Sequence, residues 1–229
     1  MNRTTKFIVS VLGIVLGISG LNHGIFETLQ GAVPTPGLII QAIGDDQQMW
    51  VHGTEEAFTI LPNFLLAGIL TILFSLAIIV WTVFFIERKH GPAIFLLLFV
   101  LLFLSGGGIG HIVFFIPTWL ASTHIHKPLN GWRKILPEKT QRWVSKIWPA
   151  TLAISLLAFF GALFIAIVGY VPGMSDPDQI LYFCWTLLIS ALGLILLSMV
   201  SGYASDLQKQ LHTPVNFETN KRFGVNHGK

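Results

Sequence analysis

Apolar residues along this chain gather in five long runs, at about 7–30, 57–86, 92–120, 150–171 and 180–204. None shows the polar–apolar alternation that a membrane barrel strand requires. Each is longer than the roughly 20 residues a helix needs to cross a bilayer. The pattern predicts an all-α fold, a polytopic helical membrane bundle of five hydrophobic segments forming a single transmembrane domain over residues 1–204. A mobile polar cytoplasmic tail is expected over 205–229. The first run follows Arg3 and Lys6 and has the outline of a signal peptide. It continues into Asn22, His23 and Glu27 without a clear small-x-small cleavage site, so it reads better as a retained anchor.

Composition strengthens this picture. Of 229 residues, 53% are apolar and only 11% charged, against roughly 25% charged in an ordinary soluble domain. That shortfall excludes a disordered chain, a nucleic-acid-binding module and a conventional cytosolic enzyme. The net charge of +3 needs no nucleic acid to explain it, because basic residues of membrane proteins collect where anionic headgroups are. The single cysteine, Cys184, cannot form an intramolecular disulfide.

The fourteen basic residues fall in only four segments: before the first run, at Arg88 and Lys89, between Lys127 and Lys146, and in the tail from Lys209 onward. The connections holding Asp45, Asp46, Glu55 and Glu56, and Asp176 and Asp178, have no Lys or Arg. By the positive-inside rule the basic segments are cytoplasmic, which predicts a multi-pass protein of the cell membrane with both termini inside. The third run, 92–120, then begins and ends on the same side. Its middle reads Ser105-Gly106-Gly107-Gly108-Ile109-Gly110-His111, and each glycine costs about 1 kcal/mol in a helix. Two pieces, roughly 92–104 and 109–122, folded back at the glycines as a broken or re-entrant hairpin, satisfy the charges. One long helix with closely packed glycines is the alternative.

Some features read as structure alone. Gly13, Gly17, Gly20 and Gly24 recur at helical spacing, which suits close packing within one bundle or a dimer face. Trp50, Trp81, Trp119, Trp148 and Trp185 lie near run ends, as aromatic belt residues do. The segment from Pro137 to Pro149 sets Trp143, Val144, Ile147 and Trp148 apart from Lys139, Arg142 and Lys146, in the manner of a short interfacial helix. Anionic headgroups near 127–148 are its expected partner, with docking on the protein's own loops as the alternative. His124 and His126 are two apart, so on a helix they diverge and make a poor metal pair.

Ionisable residues inside membrane runs are costly, and here they concentrate. His23 and Glu27 share one helical face, flanked by Ser19, Asn22 and Gln30. If the second run is helical from its start, His52, Glu56, Thr59 and Asn63 form one stripe, with Glu55 pointing about 100° away. His111 follows the glycines of the third run. Depth estimates at 1.5 Å per residue put all of these in the outer half of the bilayer. His23, Glu27, His52, Glu56 and His111 are therefore the candidate metal ligands, with Asn22, Thr59 and Asn63 as supporting polar groups.

Imidazole and carboxylate donors suit zinc or iron. Carboxylate–histidine pairs also perform acid–base chemistry without metal, and a b-type haem between histidines beside the glycines is a weaker option. The function classes left open are a membrane-embedded enzyme acting on an apolar substrate, metal-dependent or acid–base, and a non-enzymatic component such as a small transporter or a subunit of a larger complex. The inner half of the bilayer offers few ionisable groups, which weighs against a proton-coupled pump.

Overall fold

The computed structural model describes residues 1–211 and places helix α1 (Arg3–Leu29) at the centre of a helical bundle. Helix α2 (Phe64–Phe84) lies along it, and the glycine stripe explains how closely. A Cβ on Gly17 would strike Ile79 and the Ser75 carbonyl, and one on Gly24 would strike Ile72 and the Gly68 carbonyl. The stripe is thus consumed by packing within the chain, where small residues let two helix backbones approach. Four helices are long and apolar enough to cross a membrane: α1, α2, α7 (Trp148–Val168) and α8 (Pro177–Leu211). The 21 residues of α2 and of α7 give about 31 Å each, the thickness of a hydrocarbon core. The side chains they turn outward, such as Leu73, Val80, Leu157 and Phe164, are exposed aliphatics and aromatics, as lipid-facing positions are.

The third run is broken. Helix α3 (Gly91–Ser105) and helix α4 (His111–Ser122) are joined through the glycines and fold back on each other. Phe115 stacks on Phe99 with ring centroids 3.6 Å apart and meets Phe95 edge-on at 5.0 Å. Trp119 Nε1 donates to the Pro92 carbonyl at 3.1 Å, so the end of one piece meets the start of the other. Non-helical backbone at membrane depth must find partners within the protein. Here the tip glycines form a strand, β3 (Gly106–Gly108), which pairs antiparallel with β2 (Glu56–Thr59) through Ala57 and Gly108. Strand β2 pairs in turn with β1 (Ile39–Gln41), completing a three-stranded sheet over the hairpin tip.

That sheet corrects the expected second segment. The run at 57–86 is not helical from its start: residues 56–59 are strand, and α2 begins only after Pro62, with Asn63 capping it by accepting from the Leu66 N–H at 3.2 Å. The helical stripe of His52, Glu56, Thr59 and Asn63 therefore does not form. Proline lacks an N–H and disfavours helix in the residue before it, while the glycine strand supplies a partner for extended chain.

The two ends of the bundle differ in charge. One gathers the start of α1, the α2–α3 turn, the segment from Thr123 to Ile147 and the end of α8. Asn2 N–H donates to the Ile125 carbonyl at 2.7 Å, and Lys6 Nζ meets Glu87 Oε2 at 2.5 Å. Every Lys and Arg among the described residues lies here. The segment between α4 and α7 forms two short helices, α5 (Asn130–Ile135) and α6 (Glu138–Val144). The polar tail expected from residue 205 is also corrected, because α8 continues to Leu211 and buries Ser205, Asp206 and Leu207. The remainder of that tail lies outside the described residues. The opposite, acidic end carries the sheet and the loop that follows β1. There Trp50 Nε1 donates to the Ala166 carbonyl at 2.9 Å, and its ring covers Gly169, whose φ of +66° ends α7.

Candidate functional site

Three of the residues singled out in the sequence meet beneath the sheet at the acidic end. His23 and Glu27 project from one face of α1, within about two turns of its end, and both are fully buried. His111 opens α4 directly after the glycine strand. The His23 and His111 rings lie edge to face with centroids 5.0 Å apart. His111 Nδ1 donates to the Gly108 carbonyl at 3.0 Å, which leaves the lone pair on Nε2. The two imidazoles are in contact, so no flat macrocycle fits between them.

The fourth member is Glu55, from the connection leading into β2. Its Oε2 lies 2.5 Å from His23 Nε2. The backbone fixes it there: the Glu55 carbonyl accepts from the Ala42 N–H at 2.8 Å, and the Glu56 carbonyl accepts from the Ile109 N–H at 3.1 Å. The Glu55 side chain stays about a third exposed; the burial it does have raises its pKa, and His23 beside it more than offsets this and holds the carboxyl below the usual range.

The glycines are the wall of the site. A Cβ on Gly108 would fall on both the His23 and His111 rings, and one on Gly106 would fall on the Glu27 carboxyl. Gly106 also has φ +147°, which L side chains rarely adopt. On the α2 side the Thr71 hydroxyl stands beside Glu27, and Ser75 lies one turn further along. Several buried polar atoms here have no hydrogen-bond partner: His23 Nδ1, both Glu27 oxygens, His111 Nε2, and the Thr71 and Ser75 hydroxyls. More than nine in ten buried polar groups in native proteins are paired. Those on His23, His111 and Glu27 lie against the glycine strand, with Thr71 beside Glu27, while Ser75 faces Gly20 of α1.

The remaining sequence candidates lie elsewhere. His52 pairs with Asp178 at 3.0 Å in the surface loop that docks on α7 and α8. Glu56 is exposed on the opposite face of β2 from Glu55. Thr59 is buried and donates to the Ser105 carbonyl at 2.9 Å, pinning β2 to the end of α3. Asn63 is the cap of α2, and Asn22 is half-buried on the neighbouring face of α1. Gln30 reaches β1, donating to the Ala42 carbonyl at 2.9 Å. The five-residue metal set is therefore not assembled. Among the described residues, no group of three His, Cys, Asp or Glu side chains is placed to hold a metal ion. Glu55 was legible under a different period: read as strand, Glu55, Ala57 and Thr59 share the face that points inward. Thr71 and Ser75 had the weaker signal of two hydroxyls four apart in an aliphatic helix.

The fold and site together define the class, a multi-pass helical membrane protein with a His/Glu cluster under the tip of a folded-back hairpin. No family model, curated protein or solved structure matches the chain.

Proposed function

We propose that this protein is a membrane-embedded acid–base enzyme, acting on an apolar or lipid-like substrate near one face of the bilayer. The observation that carries the reading is the set of unpartnered atoms on His23, Glu27 and His111, which a bound substrate would complete. In this mechanism the Glu55–His23 pair holds and moves the proton, because a carboxylate beside an imidazole stabilises the imidazolium that forms. His111 offers the lone pair of Nε2 to a substrate proton. Glu27, facing Thr71, supplies the second carboxyl. A purely structural subunit has little use for such groups, since burying them without partners costs free energy that an apolar core would avoid.

The metal-dependent form of the reading has less support, since no three-ligand group is present among the described residues. The basic end faces the cytoplasm by the positive-inside rule, which sets the cluster toward the outer leaflet of a cell membrane.

The test is to hold the full chain in nanodiscs made from total membrane lipid extract and to follow the lipid composition by mass spectrometry. A product that the wild type makes, that His23→Ala and His111→Ala do not, and that Glu56→Gln still makes supports the enzyme. Elemental analysis of the same wild-type sample separates the metal-free from the metal-assisted form. Lipid composition unchanged by the wild type, together with constant co-purification of another chain, would replace the enzyme by the subunit.

A further inference from the structure

The basic end carries an exposed surface on which aromatic and cationic side chains adjoin. Helix α6 lies on α8 through a polar residue: Gln141 is buried, donates to the Leu136 carbonyl at 2.6 Å and accepts from Gln208 Nε2 at 3.4 Å. Its other side turns Trp143 outward at 76% exposure, with Lys139 and Arg142 beside it. Lys146 Nζ stands 5.9 Å over the Trp143 ring, and Ile147 is exposed as well. Burying a glutamine while exposing a tryptophan is the reverse of what a water-facing helix favours.

Position supplies the reason. Trp143 lies five residues before Trp148, the first residue of the membrane-crossing α7, so this surface sits at the bilayer boundary. Tryptophan with Lys and Arg is the composition preferred there. Trp148 touches Phe7 of α1, with ring centroids 5.7 Å apart. Phe7, Met1, Arg3, Lys6 and Ser10 line a cleft of about 300 Å³. Lys6 is engaged by Glu87. Among the described residues no carboxylate pairs with Arg3, Arg142 or Lys146. The segment 127–148 holds six basic residues against one acidic residue, Glu138.

The geometry points to this surface as a binding site for anionic phospholipid. Arg3, Arg142 and Lys146 meet the headgroup phosphate, while Trp143 and Phe7 rest at the glycerol and upper acyl level. A folded protein partner fits less well, because the surface runs without interruption into the lipid-facing start of α7. The inference does not depend on the acid–base reading of the opposite end.

The test uses the wild-type chain in phosphatidylcholine nanodiscs doped with phosphatidylglycerol brominated on its acyl chains near the headgroup. The signal of Trp143 is taken as the difference between the wild type and Trp143→Phe. The brominated phosphatidylglycerol is expected to quench this signal more than brominated phosphatidylcholine at equal mole fraction. Each basic residue near an anionic surface is worth a factor of about five, so replacing Arg3, Arg142 and Lys146 by Gln should remove the preference. Raising salt from about 0.1 M to about 1 M shortens the Debye length from ~10 Å to ~3 Å. It should weaken the preference in the wild type without any substitution. Equal quenching by the two lipids overturns the anionic site. So does a Trp143 that bromine does not quench but that is shielded from aqueous iodide, since another protein would then cover it.

Discussion

Glu55 reaches His23 from the connection before β2 to the middle helix, with Oε2 and Nε2 2.5 Å apart. Neighbouring Glu56 points to solvent. One position along a strand decides which carboxyl belongs to the cluster.

Stability should follow the protonation of that carboxyl. The pKa of Glu55 is lower in the folded chain than its ordinary value, so the unfolded chain binds more protons over the interval between the two. On the acid side the contribution is present just above the ordinary carboxylate range and is lost as pH falls through the lowered folded value. The difference in melting temperature between the wild type and Glu55→Gln, taken at about pH 5, should shrink as pH falls below about pH 4. Glu56→Gln should differ little from the wild type at any pH. A Glu55→Gln difference that grows on acidification would contradict the pairing.

Side chains added at the glycine strand should be costly in a graded way. A methyl group at Gly108 or Gly106 meets the imidazoles or the Glu27 carboxyl, whereas at Gly110 it meets open space. Overpacking of this kind costs about 1–3 kcal/mol. Gly106→Ala adds backbone strain at φ +147°. Thermal unfolding in detergent should rank Gly110→Ala near the wild type and both Gly106→Ala and Gly108→Ala well below it.

At the basic end, Asp206 of α8 holds the first turn of α1. Its oxygens accept from the Thr4 N–H at 2.9 Å, the Thr5 N–H at 2.8 Å and the Thr5 hydroxyl at 2.7 Å. These are charge-assisted bonds to groups that a helix leaves unpaired. Asp206→Ala should destabilise the protein by about 1–3 kcal/mol. Amide exchange should rise first at residues 3–6. Unchanged exchange there would show that the cap is dispensable.

The sequence by itself determined the membrane class and the separation of charge, and it offered a break at the glycines of the third run as one of two readings that the structure then decided. Long uninterrupted apolar runs, three successive glycines and the clustering of Lys and Arg are one-dimensional properties, and the bilayer reads them directly. It also placed His23 and Glu27 on one face, because their spacing of four is fixed by the helix alone. Tertiary structure decided what lies opposite them. Residues 52–63 carry enough polar and apolar positions to satisfy either a helical or an extended period. The choice fell to extended chain because the broken hairpin exposes backbone that only another strand can pair. That pairing turned Glu55 inward, left Glu56 in solvent and sent His52 to Asp178. At the other end α8 runs on past residue 204, and there Asp206 meets the bare N–H groups of the first turn of α1, a contact that no local pattern announces.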